Sequence, residues 1–166
     1  MRRREASCLT AAAVDSLELK IPPPLVAVVF GLLMWGVASL DGAAGFLGSH
    51  RLAAALVVAA IGVAFGFPAM AAFVRAKTTM NPTTPAAASS LVTHGVYRIT
   101  RNPMYVSLVL YLLAWAVYLS SGLALIVVPV FALYIDRFQI RPEERALSAL
   151  YGTEYAAYTS RVRRWL

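Results

Sequence analysis

Four blocks of apolar residues, separated by short polar breaks, set the plan of this chain. The first runs from Leu25 to Leu40 and ends at Asp41-Gly42 and Gly45. The second, Leu52 to Val74, is long enough to cross a bilayer with tilt, since a full span takes about 20 residues. The third, Met104 to Ser120, and the fourth, Leu123 to Ile135, are joined by Ser120-Ser121-Gly122, which leaves room only for a tight turn. This predicts an antiparallel helical hairpin. The 13 residues of the fourth block rise only about 20 Å as a helix. Either that helix continues to Ile140, or the hairpin stops short of the far membrane surface. The apolar residues form solid blocks, without the alternation of a strand or the polar face of a soluble helix. The pattern therefore predicts an all-α integral membrane protein with four transmembrane helices, at about 25–40, 52–74, 104–120 and 123–137.

The polar breaks carry the remaining organisation. Residues 1–20 begin Met-Arg-Arg-Arg but then meet Asp15, Glu18 and Lys20, so they read as a cytoplasmic tail and not as a signal peptide. Pro22-Pro23-Pro24 delays the first helix. Pro68 and Pro129 bend the second and fourth. Ala59, Gly62 and Gly66 form a small-residue face that lets another helix approach closely, and this face leaves both a monomer and a homodimer open. From Thr78 the chain is rich in Thr, Pro, Ala and Ser, and a loop over 78–103 long enough to cover a site is expected. After the hairpin, Pro142 to Leu166 changes character. Pro142 with Glu143 and Glu144 suits the start of a helix. Leu147, Leu150, Tyr151, Tyr155 and Tyr158 recur at three- and four-residue spacing, which predicts an interfacial amphipathic helix broken at Gly152. Residues 21–166 thus form one membrane domain.

Composition agrees with this plan. Of 166 residues 60% are hydrophobic and only 14% charged, and the mean hydropathy is +0.68. That is too little charge to cover a water-soluble domain. The net charge of +7 is not a nucleic-acid signature, because the basic residues sit at the ends of apolar runs. With the N-terminus cytoplasmic and four crossings, 14 of the 15 Lys and Arg fall on the cytoplasmic side, and only Arg51 lies outside. The positive-inside rule selects this orientation, with both termini cytoplasmic. The lone Cys8 offers neither a disulfide nor a metal cluster.

The orientation brings two polar stretches to the cytoplasmic face. One is Ser89 to Tyr105, and the other is Gln139-Ile140-Arg141-Pro142-Glu143-Glu144-Arg145. Together they offer Tyr97, Asn102, Tyr105, Gln139, Arg141, Glu143 and Glu144, with His94 nearby. No His and carboxylates stand at metal spacing, no nucleophile has an adjacent base, and no Gly-rich loop cradles phosphate. The pattern points to a polar cofactor held against a lipid-facing cavity. Arg98 and Arg101 are read equally well as charged anchors at the membrane surface.

At Leu91-Val92-Thr93-His94-Gly95-Val96-Tyr97-Arg98, followed by Arg101-Asn102-Pro103-Met104-Tyr105, the chain resembles the isoprenylcysteine carboxyl methyltransferases and the related membrane phospholipid methyltransferases. Arg141-Pro142-Glu143-Glu144-Arg145, Tyr151-Gly152-Thr153-Glu154-Tyr155 and Tyr158 match the family's C-terminal block in order and spacing. The resemblance covers about Thr79 to Leu166. It implies a methyltransferase using S-adenosyl-L-methionine, with cofactor contacts from Ser89, Ser90, Leu91, Val92, Tyr97, Asn102, Pro103, Met104, Tyr105, Glu143 and Glu144. No metal is expected, from the residue spacing already described. Two positions depart from the pattern. Many members carry His in place of Asn102, and a substrate-binding Arg of the prenylcysteine enzymes is replaced by Gln139, flanked by Arg137 and Arg141. Gln139 and Arg141 are therefore the candidates for positioning substrate. The acceptor implied is a lipid or a lipophilic small molecule, such as an isoprenylcysteine carboxylate, a phospholipid amine or a hydrophobic thiol. With no general base evident, a carboxylate or thiolate, which needs none, is favoured. Two alternatives are a sterol-reductase-like membrane oxidoreductase, whose relatives are much longer, and a non-catalytic membrane scaffold.

Overall fold

The computed structural model describes residues 18–40, 47–76 and 90–166, and the regular elements among them are all helical. Most of the expected N-terminal tail with Cys8, the break at Asp41-Gly42 and Gly45, Lys77, and the start of the expected cofactor loop from Thr78 through Ser89 lie outside the described residues. The helices are α1 (Pro23–Ala38), α2 (Arg51–Ala76), α3 (Pro103–Leu119), α4 (Gly122–Ile135) and α5 (Arg141–Thr159). A 3₁₀ turn, Gly48–His50, precedes α2, and another, Gly95–Arg98, precedes α3.

Two continuous helical stretches are long and apolar enough to cross a membrane, Gly48–Ala76 and the run beginning at Gly122, while Pro23–Ala38 and Pro103–Leu119 are shorter apolar helices. At 16 and 17 residues, α1 and α3 rise about 24 and 26 Å, a little under the ~30 Å hydrocarbon thickness. Leu32, Phe67 and Leu133 point outward, more than 60% exposed. Large apolar faces turned outward in this way suit lipid contact.

The core lies where α1, α3 and α4 meet. Met34, Phe131, Ile135 and Ile140 are completely buried there. The Phe30 and Phe131 rings pack edge to face at 5.3 Å, and the Trp115 indole donates to the Gly31 carbonyl at 3.0 Å, tying α3 to α1. The most extensive contact is between α2 and α3, and the small-residue face makes it possible. A Cβ on Gly66 would lie 2.5 Å from Ser107 Oγ, and one on Gly62 would lie 2.9 Å from the Tyr111 ring. The face that the sequence left open to a second copy is thus filled by the chain's own α3.

The α3–α4 turn is as tight as expected. Ser120 takes a left-handed conformation (φ 51°), and the Ser121 hydroxyl caps α4 by accepting from the Ala124 N–H at 3.0 Å. The fourth helix does continue to Ile140, through a widened π turn over Asp136–Ile140 in which the Arg141 N–H reaches back to the Asp136 carbonyl. The helix does not end there, as the sequence had suggested. Pro142 lacks an N–H, and the widened turn lets the backbone pass it without a break. Gly152 does kink α5, at φ 49°, ψ −117°.

Candidate functional site

The second polar stretch meets the first because α4 leads straight into α5. An extra residue in one helical turn rotates everything after it by about 100°. Glu143 and Glu144 are thereby carried to the side facing α3, and Gln139 is left on the other. Pro103 starts α3 at its first position, where its missing N–H costs nothing, so Tyr105 is fixed half a turn later. The Tyr105 hydroxyl donates to Glu143 Oε2 at 2.9 Å, joining residues 38 apart in sequence.

Around this bond lies a cavity of about 500 Å³. Its polar end is formed by Ser90, Leu91, Val92 and Tyr97 from the loop, and by Glu143, Glu144, Tyr155 and Tyr158 from α5. Asn102, Pro103, Met104 and Tyr105 complete that end. Its other end is apolar and runs between α2 and α3, past Phe73, Met70, Gly66 and Val63 to Ser107 and Tyr111. Phe73 to Val63 spans about 15 Å along α2, roughly half the hydrocarbon thickness. Val63, Phe67 and Met70 line the cavity and are at least half exposed, so it opens on the outer face of α2. One cavity therefore joins a polar chamber to a membrane-facing groove.

The polar chamber is electrostatically unusual. Burial raises the Glu143 carboxyl to about 7, although the Tyr105 hydroxyl pulls it down, and the Glu144 charge adds to the rise. Burial first, then the nearby Glu143 charge, hold the Tyr97 phenol well above its ordinary range. Tyr155 is pushed up to about 12 by burial and by Glu144. The phenols are therefore neutral hydrogen-bonding groups at physiological pH, while Glu143 is poised to gain or lose a proton. The Tyr97 ring packs edge to face on Phe73 at 5.7 Å, and its carbonyl accepts from the Tyr158 hydroxyl at 2.7 Å.

All the described cofactor candidates line this cavity; Ser89 lies outside the described residues. Gln139 and Arg141 are placed elsewhere. Gln139 is fully buried, and its amide donates to the Ile21 carbonyl at 2.8 Å, fastening the approach to α1. Arg141 is 56% exposed and paired with Asp136 at 2.7 Å. Gln139 lies within the π turn and faces α1, while Arg141, two residues before Glu143 on the same helix, faces about 200° away from it, so neither is positioned to hold a substrate there. His94 is exposed at the start of its 3₁₀ turn.

Sequence reasoning missed two features. The tyrosines of α5, read mainly as interfacial packing, contribute Tyr155 and Tyr158 to the chamber wall. The C-terminal segment also returns beneath the loop. The Arg164 carbonyl accepts from Thr100 Oγ1 at 3.0 Å and from Asn102 Nδ2 at 2.9 Å, and the Arg163 carbonyl accepts from the Arg101 N–H at 2.9 Å. Trp165 packs against the main core. The signal available was a Trp among arginines at the end of a membrane protein, a side chain with reason to bury itself.

The sequence matches the family model described as phospholipid methyltransferase over residues 50–154, from the start of α2 into α5. A protein of Haemophilus influenzae, described only as uncharacterized, is 49% identical over 63 residues, which make up 38% of this chain and all of that protein. No solved structure matches the chain.

Proposed function

The chain belongs to the phospholipid methyltransferase family, and we propose that it is an integral membrane enzyme that moves a methyl group from S-adenosylmethionine to a lipophilic acceptor. The observation that carries this reading is the single cavity with a polar chamber at one end and an apolar, laterally open groove at the other. A donor that is charged and water-soluble and an acceptor that is lipid-soluble need such a meeting place. The cavity's about 500 Å³ lies within the ~300–1,000 Å³ usual for ligand sites.

The residues present suit the donor. The Glu143 carboxylate can hold an ammonium or ribose hydroxyls. The rings of Tyr97 and Tyr105 can face a cation. Leu91 and Val92 run along the chamber as non-helical backbone, whose amide groups can meet a nucleoside. When bound, S-adenosylmethionine supplies an electrophilic methyl whose C–S electron pair stays with sulfur as the acceptor's lone pair forms the new bond. For such a displacement alignment is the main requirement, and it can supply about 7–11 kcal/mol of the barrier. The close α2–α3 packing holds the groove in line with the chamber, and its apolar wall keeps water from competing. Glu143, with its carboxyl near 7, also supplies a proton acceptor that the sequence did not reveal. An ammonium acceptor, which must lose a proton before attack, therefore fits as well as a carboxylate or thiolate.

In this reading the chain crosses the membrane four times with both termini cytoplasmic, the arrangement that puts 14 of 15 basic residues inside. Calorimetry with S-adenosylmethionine on the detergent-purified protein tests the donor, and transfer of a labelled methyl into lipid extract tests the acceptor. Binding is expected, with a loss of at least about tenfold in Glu143→Ala. Absent binding by the intact protein, or binding unchanged by that substitution, refutes the assignment.

A further inference from the structure

The polar chamber holds a cation as well as an acid. Arg101, which the sequence read equally well as a surface anchor, is only 15% exposed and lines the cavity. Its Nη1 lies 3.1 Å from Glu144 Oε1. Its Nε is buried and has no partner among the described residues.

Glu144 does not neutralise Arg101 fully, because Arg164 grips the same carboxylate through Nε at 3.2 Å and Nη2 at 2.6 Å. Arg164 is in turn 3.1 Å from Asp136, and Asp136 is 2.7 Å from Arg141. The contacts thus run Arg101–Glu144–Arg164–Asp136–Arg141, three cations to two carboxylates. One positive charge is left over. At the Arg141 end solvent screens it. At the Arg101 end the guanidinium is largely buried and shares the one carboxylate that it meets among the described residues, so the uncompensated charge costs most there. An anion entering the cavity beside Arg101 would complete the chain in a charge-assisted pair with its guanidinium.

We propose that Arg101 is an oxyanion-binding residue of the cavity and that, with Glu143 in the same chamber, it clamps a zwitterion: Arg101 takes the carboxylate or phosphate and Glu143 the ammonium. This rests on the reading of the cavity as a methyl-transfer site. Two ligands carry that chemistry, the amino-acid part of the methyl donor and a zwitterionic lipid headgroup.

The test uses Arg101→Gln and Arg101→Lys in the full-length detergent-purified protein, with paired probes in calorimetry. S-adenosylhomocysteine is compared with 5′-methylthioadenosine, which lacks both charges. Short-chain phosphatidylethanolamine is compared with the matching diacylglycerol, which lacks the phosphate and the amine. A loss of about tenfold or more for S-adenosylhomocysteine in Arg101→Gln, with methylthioadenosine unchanged and partial recovery in Arg101→Lys, assigns the anion site to the donor. The same pattern confined to the phospholipid assigns it to the acceptor headgroup. Equal losses within each pair mean that Arg101 only buttresses Glu144, and no loss in either pair means that it meets no anion; each overturns the proposal. If the unaltered protein binds neither adenosyl probe, the donor reading fails, and the phospholipid pair still decides the role of Arg101.

Discussion

Replacing Tyr105 by Phe removes one hydroxyl and leaves the ring, the helix and the apolar packing in place. That hydroxyl donates to Glu143 at 2.9 Å and favours the ionised carboxylate, opposing the burial that lifts the group from about 4.5 to about 7. A hydrogen bond to a charged group contributes about 1.5–3 kcal/mol, and each pKa unit corresponds to about 1.4 kcal/mol. Loss of the bond therefore raises the Glu143 carboxyl by about 1–2 units. Water entering the open cavity replaces part of the bond, so about one unit is expected. The consequences for stability and for binding have opposite signs. A carboxyl whose native pKa is raised binds its proton more readily when folded, so stability falls as pH rises from about 4.5 to about 7 and is level above. In Tyr105→Phe that decline continues to about pH 8. Affinity for a cationic ligand held by Glu143 rises with pH over the same window, as the carboxylate forms. Titrating S-adenosylhomocysteine binding by calorimetry between about pH 5.5 and 8.5 reads the midpoint directly. A midpoint that stays put, or moves down, in Tyr105→Phe would refute the coupling.

Two further substitutions probe the frame of the site. Gly66→Ala places a Cβ 2.5 Å from Ser107 Oγ and 3.1 Å from Ser107 Cβ, in a contact with little room to yield, and should cost about 1–3 kcal/mol. Gly62→Ala meets the Tyr111 ring, which is 40% exposed and can swing outward, so it should cost less; the reverse order in thermal midpoint measured in detergent counts against this packing. At the C-terminal strap, Thr100 and Asn102 both donate to the Arg164 carbonyl. Asn102→Ala alone should cost about 1 kcal/mol, because Thr100 keeps the carbonyl paired. Adding Thr100→Val should cost more than the sum of the two single changes, and a strictly additive double-mutant cycle would show that the shared carbonyl is not what couples them.

Much of the scaffold was legible in the chain. The boundaries of α2, α3 and α4 fall within two residues of the apolar blocks, because Pro103, the Ser120-Ser121-Gly122 turn and the charges at Arg51 and Arg75 leave a helix few other places to start or stop. That the candidate residues meet was legible as a group, since they fall in two polar stretches flanking the α3–α4 hairpin, and the described ones line one cavity. Gln139 and Arg141 were misplaced for a local reason. Spacing Gln139 from Glu143 assumes regular turns, and the π turn at Asp136–Ile140 breaks that register. Arg141 lies beyond the turn, two residues from Glu143, and regular helical spacing alone puts it on the opposite face.

The sequence by itself determined that the chain is apolar enough for a membrane, which residues start and stop its helices, and which polar groups are available near its basic face. Those follow from composition, periodicity and local backbone preference, all of which act over a few neighbouring residues. Only the tertiary structure decided that Tyr105 bonds to Glu143, that the glycines of α2 receive α3, and that Arg101 turns inward. Each of those depends on contacts between residues dozens of positions apart. Burial then changes what a side chain is: in water Glu143 is one more surface carboxylate and Arg101 one more anchor, whereas the cavity walls, by limiting solvent at both, raise the carboxyl of the first to about 7 and turn the second towards the cavity.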